Sequence, residues 1–276
     1  MTRADGLQGL RVLVTRPAGQ AGHLHGLIAS AGGRPVRLPA IEIHDTPDSH
    51  RVQQVMTQLG RYDLAVFISV NAVEKTMEYC RFLPRWPENV RIATVGARSA
   101  EALAAYGLSV DLVPEYRFNS EALLALSELQ DMTGRRVVIF RGNGGRDKLR
   151  DTLAGRGAEV DYVEVYRRVR PDVDPGSLLH LWQPGVLDVI TITSNETLQN
   201  LFDMAGTEGQ AALCAIPLVV VSERQAALAQ ELGFIQTPVV AGNAGDAAIV
   251  ACLLYTSDAA DDDYTGESWG GGGGGR

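Results

Sequence analysis

Short, uninterrupted apolar runs alternate with amphipathic stretches along most of the chain. The six clearest runs read VLVTRP, VVIFRG, LAVFIS, VITITS, IATVG and LVVVS. Runs of this length without polar alternation are typical of strands that are buried on both faces. The stretches 99–106 and 225–232 have helical periodicity and are followed by Gly107 and Gly233, and glycine is a common helix end. The alternation of strands and helices predicts parallel sheets with right-handed crossovers.

The chain contains an internal repeat. Residues 11–42 align without gaps to 136–167 at an offset of 125, which pairs Arg16 with Arg141. The same offset pairs YDLAVFISVNAV with LDVITITSNETL, and one residue of slip pairs RIATVGARSAEALAAYG with PLVVVSERQAALAQELG. Three blocks in one order indicate a duplication. We therefore predict an α/β fold of two flavodoxin-like, doubly wound parallel-sheet domains, each with about five strands.

The last stretch of the chain departs from this pattern. Residues 252–276 read CLLYTSDAADDDYTGESWGGGGGGR, with acidic residues followed by a glycine run. The first ten of them resemble translated sequencing-adapter sequence, and a natural flexible tail is the alternative. In both cases we expect a disordered segment that does not pack, because Asp and Gly offer little apolar surface to bury.

Composition and charge narrow the class of protein. The chain has 276 residues, 45% hydrophobic, with a net charge of −8. The tail holds five of the 33 acidic and one of the 25 basic residues, so the rest carries −4 and gives no support for nucleic-acid binding. No apolar run approaches the ~18 residues of a membrane span. The start of the chain has no apolar stretch typical of a secretory signal, so we expect a cytoplasmic protein without membrane contact.

The candidate site lies where the strands end. In open α/β sheets ligands bind at the carboxyl ends of the strands, and the helix N-termini there favour anions. The candidate binding residues are Thr15, Arg16, Ser69, Asn71, Gly96, Arg141, Gly142, Asn143, Gly144, Arg146, Ser194, Asn195, Ser222 and Glu223.

Several of these residues have an ordinary alternative role. Ser69 and Ser194 can simply cap helices, which is the commoner use of such serines. The turn RGNGGR at 141–146 can serve only to let a strand and a helix pack closely. It lacks the Lys-Ser/Thr of a P-loop and the spacing of GxGxxG, so it does not indicate a nucleotide.

Tyr166 is singled out by a difference between the repeats. Its partner at the offset of 125 is Ile41, whereas residues that both copies share are mostly scaffold. A strand tyrosine that reaches solvent with its hydroxyl is the ordinary interpretation, and a functional phenol is the alternative.

Taken in order, the motifs resemble one family, the uroporphyrinogen-III synthases, over residues 7–251. The version of the last loop that reads SER resembles the proteobacterial branch. The motifs that carry the resemblance are VLVTRP, FISVNAV, TVGARSAEALAAYG, FRGNGGRDKLRDTLAGRGAEV, VEVYRR, TITSNETL and VVSERQAALAQELG.

The resemblance implies discontinuous domains. In the family the first strand–helix–strand unit joins the C-terminal half. Carried over, one domain comprises 1–38 plus 172–251, the other 39–171, and 252–276 is the tail. The chain would cross twice, near 38–43 and 166–171, through extended linkers.

The resemblance also implies a chemistry. Family members are lyases that cyclise the linear tetrapyrrole hydroxymethylbilane to uroporphyrinogen III, with loss of water and inversion of the last pyrrole ring, in haem biosynthesis. They need no metal or cofactor. We expect a monomer whose partner is this substrate, with transient contact to the preceding pathway enzyme.

Roles for particular residues follow from the motif match. Tyr166 matches the family tyrosine and is implied to protonate the leaving hydroxyl, while Arg16, Arg141 and Arg146 are the candidates for carboxylate recognition. The sequence departs from the family at Arg168, which replaces Thr, and at the SERQA loop, which replaces Gly-Pro-Thr-Thr-Ala in other branches. Ser222 is the candidate to supply the missing hydroxyl.

A protein without catalytic activity is the main alternative. Two α/β domains joined by paired crossovers also describe small-molecule sensors of the periplasmic-binding type. A sensor would bind its ligand unchanged, whereas a synthase would convert hydroxymethylbilane to the type III isomer.

Overall fold

The computed structural model describes residues 6–81, 85–116, 119–145 and 147–264, with the side chains of 256–264 excepted. The chain divides into two compact units. One contains the described residues up to Glu42 and from Arg170 onward, and the other spans Ile43–Val169. The boundaries expected from the sequence, at 38/39 and 171/172, differ from these by a few residues at each crossing.

Six of the strands in the described residues coincide with the six apolar runs, and the other four, at 34–37, 42–45, 159–169 and 239–240, lie outside them. In chain order the strands are β1 (Arg11–Val14), β2 (Arg34–Arg37), β3 (Glu42–Asp45), β4 (Leu64–Phe67), β5 (Arg91–Thr94), β6 (Arg136–Gly142), β7 (Glu159–Val169), β8 (Val189–Thr191), β9 (Leu218–Val220) and β10 (Val239–Val240).

The helices follow the strands as the periodicity predicts. They are α1 (Gly22–Ser30), α2 (Ser49–Thr57), α3 (Val70–Cys80), α4 (Ala97–Ala105), α5 (Ser120–Leu124), α6 (Lys148–Gly155), α7 (Pro175–Leu178), α8 (Asn195–Leu213), α9 (Glu223–Glu231) and α10 (Asp246–Tyr264). The described residues also form short 3₁₀ helices at Ala18–Gln20, Leu59–Arg61 and Ser127–Leu129.

Each unit is built on one five-stranded sheet. The first sheet has the order β10-β9-β8-β1-β2, and its pairings are parallel. This is the order of a flavodoxin-like doubly wound sheet. The second has the order β3-β7-β6-β4-β5, with parallel pairing from β7 through β5, and an isolated parallel bridge joins Ala93 to Leu112. The predicted α/β class with parallel sheets is confirmed.

The strand registers of the two sheets correspond at the offset of the sequence repeat. Val12 pairs with Pro35 and Val189 in the first sheet. In the second, Val137 pairs with Val160 and Leu64, which are the repeat partners of those residues. The central strands therefore make the same neighbour contacts in both units.

An aspartate at the start of a strand repeats in the same way. The Asp188 carboxylate accepts from the backbone N–H of Arg11 at 2.7 Å, and Asp63 accepts from the N–H of Arg136 at 2.8 Å. The Arg11 side chain also donates to Asp188, and this hydrogen bond lowers the pKa of that carboxyl. These bonds satisfy amide groups where the central strand of each sheet begins.

Both faces of each sheet are covered. Along β1, Leu13 contributes to one apolar cluster while Val12 and Val14 contribute to another. Along β6, Val138 and Phe140 lie in one cluster and Val137 in a second. Continuous apolar runs are therefore needed, because alternate residues of these strands face two different helix layers.

Parts of the two ranges expected as crossings are strands of the second sheet. Residues 166–169, in the second range, belong to β7, which runs for 11 residues to Val169. Glu42–Asp45 forms β3 at the edge of the second sheet rather than a plain crossover. Backbone hydrogen bonding to the sheet accounts for both, since extended residues beside a free strand edge pair with it.

The tail was expected not to pack, and this is wrong for its first residues. Helix α10 continues past Ala251, and the side chain of Leu253 is fully buried in the cluster that contains Leu7, Ile28 and Ile249. Leu253 lies one helical turn after Ile249, so it extends the buried face of the helix. The similarity of 252–276 to adapter sequence stays a prediction.

Two truncations should therefore differ in stability. Ending the chain at Tyr255 removes no described buried side chain, so the melting temperature should stay within a degree or so of the full-length value. Ending it at Ala251 also removes Leu253, and losing a buried leucine costs about 2–5 kcal/mol, which lowers the melting temperature by several degrees. Calorimetry of both truncations checks this. Equal melting temperatures would show that Leu253 contributes nothing.

Among the residues that the structure describes, no helix combines the length and the apolar character of a membrane span.

Candidate active site

The carboxyl ends of the parallel strands bring four predicted residues to one edge of the second sheet. The neighbouring strands β7, β6, β4 and β5 end at or near Tyr166, Gly142, Ser69 and Gly96, respectively. Because the strands are parallel and adjacent, residues far apart in sequence become neighbours here.

The ring of Tyr166 packs directly on Gly142. The two residues are register partners at a β-bulge between Arg141 and Gly142. A Cβ atom at Gly142 would overlap the tyrosine ring, so this close approach requires glycine. The Tyr166 side chain is only 5% exposed. Tyr166 is therefore largely enclosed at this edge of the sheet.

The hydroxyl of Tyr166 lies 3.1 Å from Ser69 Oγ, within hydrogen-bond distance. Ser69 is also the N-cap of α3, where its Oγ accepts from the backbone N–H of Ala72 at 3.1 Å. The serine is thus a helix cap and a partner of the tyrosine at the same time. The repeat and the motif match single out both residues, but the contact between them is not visible in the sequence.

The glycine-rich turn after β6 encloses Arg141. Its guanidinium lies over the ring of Tyr162, 4.6 Å from the centroid, and donates to the carbonyl of Gly142 and to Asp147. Gly144 and Gly145 have φ of 66° and 95°, which favours glycine at both. Arg141 is buried by its own loop, so the structure does not present it to a carboxylate ligand.

The other predicted residues of this unit either bond to the backbone or lie at the start of a helix. Asn143 accepts from the N–H of Arg168 at 2.8 Å and its own N–H donates to the carbonyl of Tyr166, which ties the turn to β7. Asn71 is half-buried in the first turn of α3. Gly96 is the N-cap of α4, where no side chain caps the helix. Arg146 lies outside the described residues.

The first unit has a similar edge at the ends of β1, β8 and β9. Thr15 is fully buried and donates its hydroxyl to the carbonyl of Thr191 at 2.7 Å, which is a structural role between strands. Ser194 caps α8 by accepting from the N–H of Thr197. The buried Oδ1 of Asn195 has no hydrogen-bond partner among the described residues, which marks a candidate acceptor for a ligand.

Arg16 was predicted to bind substrate carboxylates, and the structure gives it another partner. Its guanidinium forms an ion pair with Asp246 at the start of α10 and donates to the carbonyl of Ala244 at 2.7 Å. The two charged side chains are 6% and 5% exposed. His23 contacts the other Asp246 oxygen at 2.6 Å. A buried carboxylate of the chain itself thus takes the place expected for a ligand.

The loop after β9 contains a residue that the sequence analysis missed. Gln225 is buried and its Oε1 accepts from the N–H of Val221 at 2.8 Å, so it fixes the turn from inside. Ser222 is the N-cap of α9 but makes no side-chain cap bond, and Glu223 is exposed in the first turn. A glutamine four residues after Val221, whose N–H needs an acceptor, could have been recognised as a turn-fixing side chain.

Comparison with known proteins agrees with this architecture. A family model described as "Uroporphyrinogen-III synthase HemD" matches residues 22–251. The uroporphyrinogen-III synthase of Escherichia coli (strain K12) is 34% identical over 246 residues, covering 88% of this chain and 100% of that protein. The Salmonella typhimurium protein of the same name is 33% identical over 246 residues, with the same coverage of both.

Solved structures share the fold. The crystal structure of uroporphyrinogen-III synthetase from Helicobacter pylori has a TM-score of 0.60 at 13% identity and covers 90% of this chain and 99% of its own. A mutant uroporphyrinogen III synthase from Thermus thermophilus has a TM-score of 0.59 at 20% identity, covering 92% and 99%.

Two parallel, helix-covered sheets with polar groups at their carboxyl edges define an α/β protein of the class in which strand ends form the candidate ligand-binding site. The family model covers far more than half of the chain, and relatives above 30% identity match along their whole length. The chain belongs to the uroporphyrinogen-III synthase family, a family of enzymes in haem biosynthesis. The predicted resemblance is confirmed, and the sensor alternative is not favoured.

Proposed function

We propose that this chain is a cytoplasmic lyase that converts hydroxymethylbilane to uroporphyrinogen III, eliminating water and inverting the last pyrrole ring. Family membership supports the reaction. The observation that carries the catalytic assignment is Tyr166, whose phenol lies at the carboxyl edge of the second sheet, packed on Gly142 and hydrogen-bonded to Ser69. Buried and held by two neighbours, the phenol is restricted to one position.

Tyr166 acts as a general acid in this proposal. A phenol O–H is a hydrogen-bond donor and can pass its proton to a positioned acceptor. The Tyr166 O–H bond breaks and its proton joins the substrate hydroxyl, which takes the C–O bonding pair and leaves as water. The lone pair of the adjacent pyrrole nitrogen relieves the electron deficiency at carbon. Ring closure finally releases a proton from the last pyrrole, which restores the phenol, so water alone is lost overall.

Backbone groups rather than Arg16 and Arg141 bind the substrate carboxylates in this proposal. Both arginines are buried on partners within the chain. By contrast, α4 begins at Gly96, at the same sheet edge as Tyr166, without a side-chain cap, and helix N-termini attract anions. We further propose that the enzyme acts as a monomer.

We also infer that the two units arose by duplication. Support comes from the strand registers that correspond at the offset of 125 and from Asp63 and Asp188, which bind the first amide of the central strand in each unit.

Product analysis tests the proposed function. Purified protein is incubated with hydroxymethylbilane, the products are oxidised to porphyrins, and the type I and type III isomers are separated by chromatography. We expect type III in the presence of the protein, whereas unassisted closure gives the uninverted type I isomer. Formation of type I alone, at the rate of the protein-free control, would overturn the assignment.

A further inference from the structure

The hydroxyl of Ser69 connects helix α3 to Tyr166. Ser69 Oγ accepts the N–H of Ala72 at 3.1 Å and lies 3.1 Å from the Tyr166 hydroxyl, where either oxygen can be the donor. A serine hydroxyl has one proton to donate and can accept through its lone pairs. Which oxygen donates decides what Tyr166 can do with its own proton.

The two orientations have different chemical consequences. If Tyr166 donates to Ser69, its proton points at the serine and is not available to a substrate. If Ser69 donates to Tyr166, the phenol proton points elsewhere, and the phenolate that forms after proton transfer accepts a hydrogen bond at once. A hydrogen bond to the charged form favours that form, so the second orientation makes the phenol a better acid.

We propose that Ser69 is a positioning residue, whose hydroxyl donates to the Tyr166 oxygen and so directs the phenol proton toward the substrate. This inference rests on the proposed function of Tyr166. The acceptor bond from Ala72 supports it, because an oxygen that already accepts a backbone N–H becomes a stronger donor through its remaining proton. The N–H belongs to the first turn of an 11-residue helix, whose dipole adds to the polarisation.

The other repeat shows why this hydroxyl is available. Ser194 stands at the repeat position of Ser69 and caps α8 in the same way, through the N–H of Thr197 at 3.0 Å. There, however, its hydroxyl is paired with the Thr197 side chain at 2.8 Å. Ala72 is the repeat counterpart of Thr197 and has no hydroxyl. In the second unit the serine is therefore left to pair with a different side chain, and Tyr166, which replaces Ile41 of the first repeat, provides it.

The test combines a single substitution with a double-mutant cycle. Ser69→Ala should lower kcat about tenfold with KM nearly unchanged, the size expected for one hydrogen bond that acts in the transition state. Ser69→Thr, which keeps a cap and a hydroxyl, should restore most of the rate. In the Tyr166→Phe background, Ser69→Ala should have no further effect on kcat, because a residue that acts through the phenol has nothing left to act on.

Loss of the helix cap needs a separate control. Asp48 caps α2 in the same unit by accepting from the N–H of Arg51 at 3.0 Å, and it has no part in the site. Asp48→Ala should lower the melting temperature much as Ser69→Ala does, with kcat unchanged. If Ser69→Ala does not fold, Ser69→Gly replaces it, since glycine at an N-cap is tolerated with little loss.

The outcomes separate this inference from the proposed function. An unchanged kcat in Ser69→Ala, or an equal loss of kcat in the wild-type and Tyr166→Phe backgrounds, would overturn the positioning role while leaving Tyr166 as the acid. A fully active Tyr166→Phe would remove the acid and the positioning role together. Absence of type III product from the wild-type protein would instead refute the proposed function itself.

Discussion

Replacing Tyr166 with Phe should lower kcat by about 10²–10⁴-fold, the usual contribution of general acid catalysis, and should leave KM nearly unchanged. The ring stays in place on Gly142, so the fold is preserved and only the proton donor is lost. The residual product should remain mostly type III, because the phenylalanine side chain differs from the tyrosine only in lacking the hydroxyl. Steady-state kinetics and isomer analysis on one preparation measure both effects.

Tyr62→Phe is a matched control for this substitution. Tyr62 is also a buried tyrosine of the second unit, but it lies before β4, at the opposite end of the strand from Ser69, and donates to Asp161 at 2.7 Å. Burial raises its pKa, and the hydrogen bond to Asp161 raises it further, so it is a protonated donor with a structural partner. Removing this hydroxyl should cost about 1 kcal/mol of stability and leave kcat unchanged. A folded Tyr166→Phe variant with the kcat of Tyr62→Phe would refute the acid role.

The positions of the strands and the edge that bears the site could be predicted from the sequence. Continuous apolar runs require helices on both faces, and parallel strands bring their carboxyl ends together. These two constraints place Ser69, Gly96, Gly142 and Tyr166 each at the carboxyl edge of a sheet, and the family resemblance, which assigns 39–171 to one domain, places them along the same edge. The set of residues at this edge can be predicted without knowing any side-chain contact.

The partners of the charged residues could not be predicted in the same way. Arg16 is the last residue but one of the motif VLVTRP. Nothing near it in the sequence shows that it forms an ion pair with Asp246, 230 positions later. Likewise, the stacking of Arg141 on Tyr162 depends on the path of a glycine-rich turn. A motif does not distinguish an exposed arginine, which can bind a ligand, from a buried arginine that is paired within the chain.

The first residues of the tail were misjudged for a related reason. Composition averages over a segment, and 252–276 as a whole is acidic and glycine-rich. Burial depends on single positions, and Leu253 continues the spacing set by Ile249 along α10. The helix therefore packs as far as its apolar face extends, whatever the origin of the sequence.

Replacing Asp246 with Ala should destabilise the protein by about 3–5 kcal/mol, the largest stability effect that we expect. The reason is that Arg16 would remain as a buried charge without its carboxylate, with the carbonyl of Ala244 as a remaining acceptor. Urea unfolding followed by circular dichroism measures the change. Asp203→Ala is the matched control in the same unit, because Asp203 pairs with Arg170 where both side chains are well exposed, and it should cost under about 1 kcal/mol.

The partner substitution decides whether Arg16 is structural or binds substrate. Arg16→Met combined with Asp246→Ala removes both charges, so the double variant should be more stable than Asp246→Ala alone and far from the sum of the single losses. Its KM should stay close to that of the wild type, since the guanidinium is committed to Asp246. If instead Asp246→Ala costs no more than Asp203→Ala while Arg16→Met raises KM severalfold, then the ion pair opens in solution and Arg16 returns as a carboxylate-binding residue.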